Sequence, residues 1–233
     1  MDKVKPVIFM HVATLHNYQE IIDDVITRLL DSGLINDINF INFNVVGDRD
    51  INLNKLPYIY HNKVIITKNG TLLDYELSTI QLISDYIHDT THNIPILYLQ
   101  TLSVSPYNYK IPGYKDRREL YFYFAINKYK KCLKVLNSYD VCGCNWNKDM
   151  TLFKRYPPHF SGNIWWSNSE YLKTLPNFEW LIDKKNYILD FRHQAEFWIG
   201  MNKNVNHKSL YTWDYTNLDG GQRINKNYMT SNE

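Results

Sequence analysis

Short apolar runs alternate with helical patterns over the first 145 residues, and this alternation constrains the fold more than any other feature. Strands that alternate with helices are joined by right-handed crossovers and form a parallel sheet between layers of helices. We therefore predict an α/β fold, with a mostly parallel central sheet and helices on both faces. The predicted strands are residues 7–12, 38–46, 63–67, 94–100 and 139–145, and the predicted helices are residues 18–32, 73–87 and 116–136.

The first predicted helix has recognisable start and stop signals. Asn17 is a suitable N-cap residue, and Glu20 follows three residues later, as in a capping box. Gly33 follows the last apolar position and is the residue type that commonly ends a helix. A strand, this helix and a second strand form a βαβ unit, which implies a parallel pair.

The alternation stops after residue 145. Residues 155–167 are expected to form a loop and a strand, Asn168 to cap a short helix over 169–175, and residues 194–201 to form another short helix. Residues 217–233 are polar and include Gly220 and Gly221, so we expect a frayed end or a lid. With no internal repeat or low-complexity linker, residues 1–216 are predicted to form one domain.

Composition excludes several classes of protein. The net charge is only +2, and the basic runs at 128–131 and 184–185 are short, so no nucleic-acid partner is predicted and these runs are expected to be solvated faces. No apolar run reaches the length of a membrane span, and residues 1–6 lack the apolar core of a signal peptide. The odd cysteine count predicts buried thiols in a reducing compartment rather than a disulfide framework. A cytoplasmic location follows as an expectation. The cysteines are Cys132, Cys142 and Cys144.

Two segments contain most of the candidate functional residues. The first reads His-Phe-Ser-Gly-Asn-Ile-Trp-Trp at residues 159–166, and the second begins at Arg192 and contains Glu196. In a strand, Trp165 and Trp166 point to opposite faces, so one is expected to be core and the other to be a platform for a sugar ring. The alternative is that both are core. Gly162 allows close approach of the backbone to a ligand.

Glu196 is the candidate general base. Its neighbours Ala195, Phe197 and Trp198 are apolar, and an apolar environment raises the pKa of a carboxyl group toward neutrality. The alternative is a surface residue on a helix. The sequence contains no dinucleotide fingerprint and no phosphate-binding loop, which disfavours a dinucleotide-binding or P-loop enzyme. It also contains no serine-hydrolase elbow and no zinc-protease motif.

The order of several short segments over residues 7–200 resembles that in the glycosyltransferase-like proteins of giant viruses and bacteria, which have a GT-A fold. The motif at 159–166 is the most specific of these segments. The other matching segments are 11–14, 32–34, 45–47, 75–76, 98–101, 139–143, 175–176, Arg192 and 195–198.

The resemblance implies a transferase that moves a sugar from a nucleotide-sugar donor, with a UDP-sugar as the first choice, to a glycan or glycoconjugate acceptor. It implies a nucleotide-sugar half over about 1–145 and an acceptor half over about 146–216, in the host cytoplasm if the chain is virus-encoded. Glu196 would be the base, with Asp140 as second choice. The implied donor-binding residues are His11, Thr14, Asp48, Gln100 and Thr101, and the implied acceptor-binding residues are His159, Gly162, Asn163, Trp165 and Trp166.

Three of these assignments have structural alternatives. Asp48 lies in a Gly-Asp-Arg-Asp sequence that also suits a turn. His11 could be a hydrogen-bonded core histidine, and Asp140 could cap a turn at the start of a strand.

The sequence departs from the family pattern where the donor phosphates would bind. Residues 100–103 read Gln-Thr-Leu-Ser, whereas members of the family tend to have His-Thr-Lys-Gly, and the Asp-x-Asp element of GT-A enzymes is missing at its usual depth. The one literal match, Asp48 to Asp50, comes too early, so dependence on Mn²⁺ or Mg²⁺ stays open. Two alternatives follow: a non-catalytic protein that binds a nucleotide or sugar, and a structural interaction protein with a Tyr-rich surface. Candidate counter-charges for a diphosphate are Lys110, Lys115, Arg117, Arg118, Arg155, His207 and Lys208.

Overall fold

A computed structural model describes residues 4–105, 107–147, 156–188, 190–212 and 223–230. Seven strands form one mixed sheet in the order β3-β2-β1-β4-β8-β5-β9, and β6 pairs with β7 in a separate ribbon. Six strands of the large sheet run in one direction, and β8 runs against β4 and β5. The strands are β1 (Val7–Ala13), β2 (Ile41–Val46), β3 (Val64–Thr67), β4 (Pro95–Gln100), β5 (Val141–Cys144), β6 (Trp146–Asn147), β7 (His159–Phe160), β8 (Trp165–Asn168) and β9 (His207–Tyr211).

Helices cover both faces of this sheet, and the α/β prediction is confirmed. Alternate residues of β1 enter different cores: Met10 packs with α1, α4 and α5, whereas Phe9 packs with α3, α6, α7 and α8. The helices are α1 (Tyr18–Ser32), α2 (Leu34–Asp37), α3 (Leu77–His88), α4 (Pro112–Phe122), α5 (Tyr129–Val135), α6 (Ser169–Leu172), α7 (Phe178–Ile182) and α8 (Phe191–Trp198). None of the helices in the described ranges is long and apolar enough to cross a membrane.

The predicted stop signal of the first helix is confirmed, but its start signal is wrong. Gly33 has a left-handed backbone (φ 77°) and its N–H donates to Leu30 O. Asn17 precedes α1 without making a side-chain capping hydrogen bond, so no capping box forms. Asn168 also caps no helix through its side chain, which instead donates to the carbonyls of Leu136 and Tyr139.

The helix predicted over 73–87 begins later than its apolar pattern indicates. A 3-10 turn (Leu72–Asp74) comes first, closed by a capping box between Thr71 and Asp74. Tyr75 then adopts a positive φ of 48°, which a helix does not tolerate, and α3 starts only at Leu77. This break puts Tyr75 and Glu76 at the edge of the sheet rather than on a helix surface.

The long helix predicted over 116–136 is interrupted by a π turn (Tyr123–Asn127). Within it, the N–H of Lys128 donates to Tyr123 O at 3.0 Å, five residues back. The Trp166 indole N–H donates to Ala125 O at 2.8 Å inside this turn, and a side chain that inserts into the backbone ladder is a common cause of such an interruption.

The described part of the polar tail packs on α4. Asp116 accepts hydrogen bonds from the Arg223 guanidinium at 2.5 and 3.3 Å and from the Ile224 N–H at 3.1 Å. Lys226 pairs with Glu119, and Tyr228 is buried in the first core. Residues 223–230 are therefore docked and not frayed, whereas 217–222 and 231–233 lie outside the described residues. The three cysteines are buried free thiols, as predicted.

Candidate active site at the carboxyl ends of the strands

A polar cleft of about 380 Å³ opens where β1, β2 and β4 end. Ligands of open α/β sheets commonly bind at this edge, outside the carboxyl ends of the strands. The loop before β8 and the starts of α3 and α8 complete the wall. The residues that line the cleft through polar side chains or backbone include His11, Tyr75, Glu76, Gln100, Thr101, Ser103, Ser105, Asn108, Tyr114, Gly162, Asn163, Arg192 and Glu196.

His11 is both a core histidine and part of the cleft wall, so the two interpretations of this residue are compatible. Its Nδ1 lies 3.0 Å from the Thr79 hydroxyl, which also accepts a hydrogen bond from the Asn44 amide at 3.0 Å. Because Asn44 already donates to Thr79, the arrangement favours donation from the Thr79 hydroxyl to Nδ1 and leaves the ring hydrogen on Nε2. Burial lowers the pKa of His11 to about 4, so the ring is neutral at pH 7.

Gln100 and Thr101 join the strand ends together. The Gln100 amide donates to Gly162 O at 2.9 Å, and the Thr101 hydroxyl oxygen accepts the Ala13 N–H at 2.9 Å. In the loop after Thr101, the carbonyl of Leu102 accepts a hydrogen bond from the Arg118 guanidinium at 3.1 Å. The ends of β1 and β4 and the start of β8 are therefore held in one rigid edge.

Thr14 and Asp48 belong to a turn rather than to the cleft wall. The Thr14 hydroxyl donates to Val46 O at 3.1 Å and accepts the Arg49 N–H at 3.4 Å. Gly47 (φ 105°) packs so closely that a Cβ there would lie 2.3 Å from this hydroxyl oxygen. Asp48 is exposed, and neither residue lines the cleft in the described part of the chain. The turn interpretation of Asp48 therefore agrees with its position.

Both tryptophans of the 159–166 motif are completely buried, on opposite faces of the sheet. Trp165 stacks on Tyr98 with ring centroids 5.1 Å apart, and its indole N–H donates to Asn163 Oδ1 at 2.9 Å. The expectation that one ring forms an exposed sugar platform does not agree with this burial, and the core interpretation fits both. Asn163 lines the cleft, but its amide is engaged by Trp165 and by Ala195 O.

Glu196 lies where the sequence places the base, on α8 and facing the cleft. His159 stands behind it, with Nε2 3.8 Å from the carboxylate and Nδ1 3.1 Å from Pro157 O. A carbonyl oxygen only accepts, so Nδ1 carries a hydrogen and Nε2 faces Glu196. The flanking Ala195 and Trp198 point away from the cleft into the second core. His159 therefore contacts the candidate base rather than an acceptor.

Glu76 is a second cleft carboxylate that the sequence did not single out as catalytic. Its surroundings raise its pKa to about 7, first through burial and then through the negative charge of Glu196. A backbone hydrogen bond, and then the electrostatic effects of Arg192 and His193, act in the opposite direction but only partly offset the rise. The signal in the sequence was weak, because Tyr75 and Glu76 look like part of a regular helix.

Arg192 brings a positive charge to these carboxylates. Its guanidinium carbon lies 5.8 Å from the centre of the Tyr75 ring, and it is the only Lys or Arg on the described cleft wall. The deeper Tyr98 hydroxyl is buried without a hydrogen-bond partner among the described residues. Burial and then the charge of Glu76 raise its pKa, so it stays protonated.

The remaining predicted groups lie away from the cleft. Asp140 accepts the Asn206 N–H at 2.9 Å before β5, which matches the turn-capping alternative. Lys110 lies over Tyr109, Arg117 over Tyr114, and Lys115 lies 3.9 Å from Glu119. His207 and Lys208 are on β9, and Arg155 lies outside the described residues.

The described residues do not fit a divalent metal site of the GT-A type. No group of three or more His, Cys, Asp or Glu side chains in the described ranges has the arrangement of a metal site. Asp50, in the early Asp-x-Asp, pairs with Lys68 at 2.6 Å, and Asp48 is exposed beside it. The cleft itself presents two carboxylates with Arg192 near them.

No protein-family model and no curated protein matches the sequence. A 4-diphosphocytidyl-2C-methyl-D-erythritol synthase from Anaerococcus prevotii DSM 20548 superposes over 97% of this chain and 93% of its own, with 11% identity and a TM-score of 0.45. A second structure with the same enzyme name covers 98% and 95%, with 12% identity and a TM-score of 0.43. At these values neither similarity identifies a function. The chain is an α/β protein with a polar cleft at the carboxyl edge of a mostly parallel sheet.

Proposed function

We propose that the chain is a glycosyltransferase that binds a nucleotide sugar in the carboxyl-edge cleft and transfers the sugar to a glycan or glycoconjugate acceptor. The observation that carries this proposal is the pair of carboxylates, Glu76 and Glu196, that face one cleft beside Arg192. A hydroxyl acceptor needs a base, and a departing nucleoside diphosphate needs a positive charge. A UDP-sugar is the first donor to test.

In the proposed reaction, the acceptor oxygen forms a bond to the anomeric carbon of the donor sugar. The bond from that carbon to the diphosphate breaks, and its electron pair leaves with the nucleoside diphosphate. A cleft carboxylate takes the proton of the acceptor hydroxyl, and Arg192 faces the charge that develops on the leaving group. No step is assigned to a metal, because the described side chains do not provide a ligand set for one.

Glu196 remains the proposed general base, and Glu76 is its proposed partner. The negative charge of Glu196 adds to the burial that raises the pKa of Glu76, so the two groups are electrostatically coupled. His159, behind Glu196, is proposed to orient that carboxylate.

The alternative is a non-catalytic protein that binds a nucleotide or a sugar. One observation favours it: Arg192 is the only Lys or Arg on the described cleft wall, whereas a diphosphate leaving group carries at least two negative charges. His11 does not compensate, because its ring is neutral at pH 7.

Ligand binding and donor turnover together separate these possibilities. Thermal unfolding would be followed with UDP, GDP, TDP and CMP and their sugars, each with and without Mn²⁺. A ligand at 100 times its Kd stabilises the native state by about 2.7 kcal/mol, which is readily measured. Stabilisation with hydrolysis or transfer of the sugar supports the transferase. Stabilisation without turnover supports the binding protein, and no stabilisation by any nucleotide contradicts both.

Arg192→Gln and Glu170→Gln provide a matched comparison. Arg192 lines the cleft, whereas Glu170 pairs with Lys173 on α6, outside the cleft wall. Loss of the thermal shift in the Arg192 variant alone would locate the nucleotide in the cleft. Equal shifts in both variants would contradict that location.

A further inference from the structure

A second and larger cleft, of about 930 Å³, lies at the opposite edge of the sheet, where the parallel strands begin. Its wall includes Lys5 and Pro6 before β1, Pro95 at the start of β4, and one side of α5. The seven residues of β1 separate the two clefts by about 20 Å, since a strand rises about 3.3 Å per residue. A ligand in this cleft is therefore distinct from one in the candidate active site.

Three exposed lysines from two distant parts of the sequence line this cleft. Lys130 and Lys134 are four residues apart on α5 and share one face of the helix, and Lys5 comes from the segment before β1. None of the three forms an ion pair with an acidic side chain in the described ranges. The neighbouring Lys131 is exposed on α5 but does not line the cleft.

The negative charge available to these lysines is small. Asp37 is the one carboxylate on the described wall, and it accepts the Tyr129 hydroxyl at 2.6 Å. Lys63 does not line the cleft, but its pKa is lowered by burial and then by the charge of Lys5, while Asp37 acts in the opposite direction. Like charges in a cleft with low-dielectric walls raise the local concentration of counter-ions.

We propose that this cleft binds a phosphate-bearing ligand, whose phosphate is contacted by Lys5, Lys130 and Lys134. A lysine ammonium binds phosphate as a compact point charge with three donors, and three such groups match the several oxygens of a phosphate ester or diphosphate. The sequence predicted that the run at 128–131 is a solvated face, and Lys130 and Lys131 are exposed. Lys130 also lines the cleft, together with Lys5 and Lys134 from outside the run.

The test compares charge reversal inside and outside the cleft. Lys130→Glu/Lys134→Glu reverses two cleft lysines, and Lys131→Glu on the same helix is the control. The probes are inorganic pyrophosphate, measured by titration calorimetry, and phosphatidylcholine vesicles with and without phosphatidylglycerol, measured by co-sedimentation. The double variant is expected to bind at least about tenfold more weakly than wild type, and Lys131→Glu close to wild type.

Each outcome decides the proposal. Pyrophosphate binding that the double variant loses supports a soluble phosphate ligand, and vesicle binding that it alone loses supports a lipid headgroup. Pyrophosphate bound in the carboxyl-edge cleft would contact Arg192, so binding that Arg192→Gln retains and the double variant loses belongs to the cleft proposed here. If neither probe binds, or if the control and the double variant bind alike, the proposal is wrong. If the double glutamate variant does not fold, Lys130→Ala/Lys134→Ala gives the same comparison without reversed charges.

Discussion

Replacing Glu76 by glutamine tests the electrostatics of the carboxyl-edge cleft. In the native protein the pKa of Glu76 is raised from 4.5 to about 7, first because burial disfavours the charged carboxylate. A group with a higher pKa in the folded state binds more protons folded than unfolded between those values. The free energy of unfolding therefore falls as the pH rises from about 4.5 to about 7. Each pKa unit is worth about 1.4 kcal/mol, and because Glu76 keeps some surface at the cleft we expect about 2 to 3 kcal/mol in all.

Glutamine resembles the protonated carboxyl group and does not titrate. We expect Glu76→Gln and wild type to have similar stability at about pH 5, and the variant to be more stable by about 2 to 3 kcal/mol at about pH 8. That difference corresponds to an increase in Tm of about 5 °C or more for a chain of this size. Urea unfolding at both pH values, followed by fluorescence of the buried tryptophans, measures it.

The control for this experiment is Glu170→Gln, which changes an exposed carboxylate paired with Lys173. It should alter stability by no more than about 1 kcal/mol at either pH, because exposed ion pairs contribute little. If Glu76→Gln gives the same difference at both pH values, or is less stable than wild type at the higher pH, then the pKa of Glu76 is not raised in the folded protein, and Glu76 is not the partner of Glu196.

Three other predictions concern the same edge of the sheet. Glu196→Gln should lower turnover by roughly 10²–10⁴-fold with unchanged donor binding, and steady-state kinetics with calorimetry would show it; unchanged turnover removes Glu196 from the mechanism. His11, with its pKa lowered from 6.5 to about 4, should stay neutral at about pH 5 by ¹⁵N NMR, and its contribution to stability should be lost as the pH falls from about 6.5 to about 4. Gly162→Ala would place a Cβ 2.4 Å from the Tyr121 ring at a φ of 75°, and should lower the free energy of unfolding in urea by about 2 to 4 kcal/mol. Gly33→Ala, whose Cβ meets no atom within 4 Å, should lower it by about 1 kcal/mol. Equal losses in the two variants would contradict the close contact.

Much of the fold could be predicted from the sequence because strands and helices bury apolar side chains at different periods. Those periods give β1 to β5 to within a few residues, and Gly33 marks the end of α1, whereas β9 was not predicted. The bounds of two helices were predicted wrongly because apolar periodicity carries no information on the features that set them. Trp166 donates a hydrogen bond to a carbonyl within the 116–136 segment, and the positive φ of Tyr75 makes α3 begin at Leu77.

The candidate site was less predictable. The positions of His11 and Gln100 at the cleft could be predicted because the strand ends could be located along the chain. The position of Glu196 could be predicted from the helical segment that contains it. Glu76 and Arg192 come together only through the packing of α3 beside α8, which no local pattern reveals. The tryptophans of the 159–166 motif were expected to contact ligand, but a strand between two helical layers has no solvent-facing side, so both rings are core.

The central position of β8 has a consequence for how the chain is made. β8 lies between β4 and β5, and Pro95 of β4 pairs with Asn168 of β8. Both β4 and β5 are synthesised before β8. While the chain emerges from the ribosome, the edges of β4 and β5 therefore remain unpaired until residue 168 is available, and unpaired edges promote association between chains. This order of synthesis leaves β4 and β5 apart until β8 pairs with both of them, and such distant pairings form slowly.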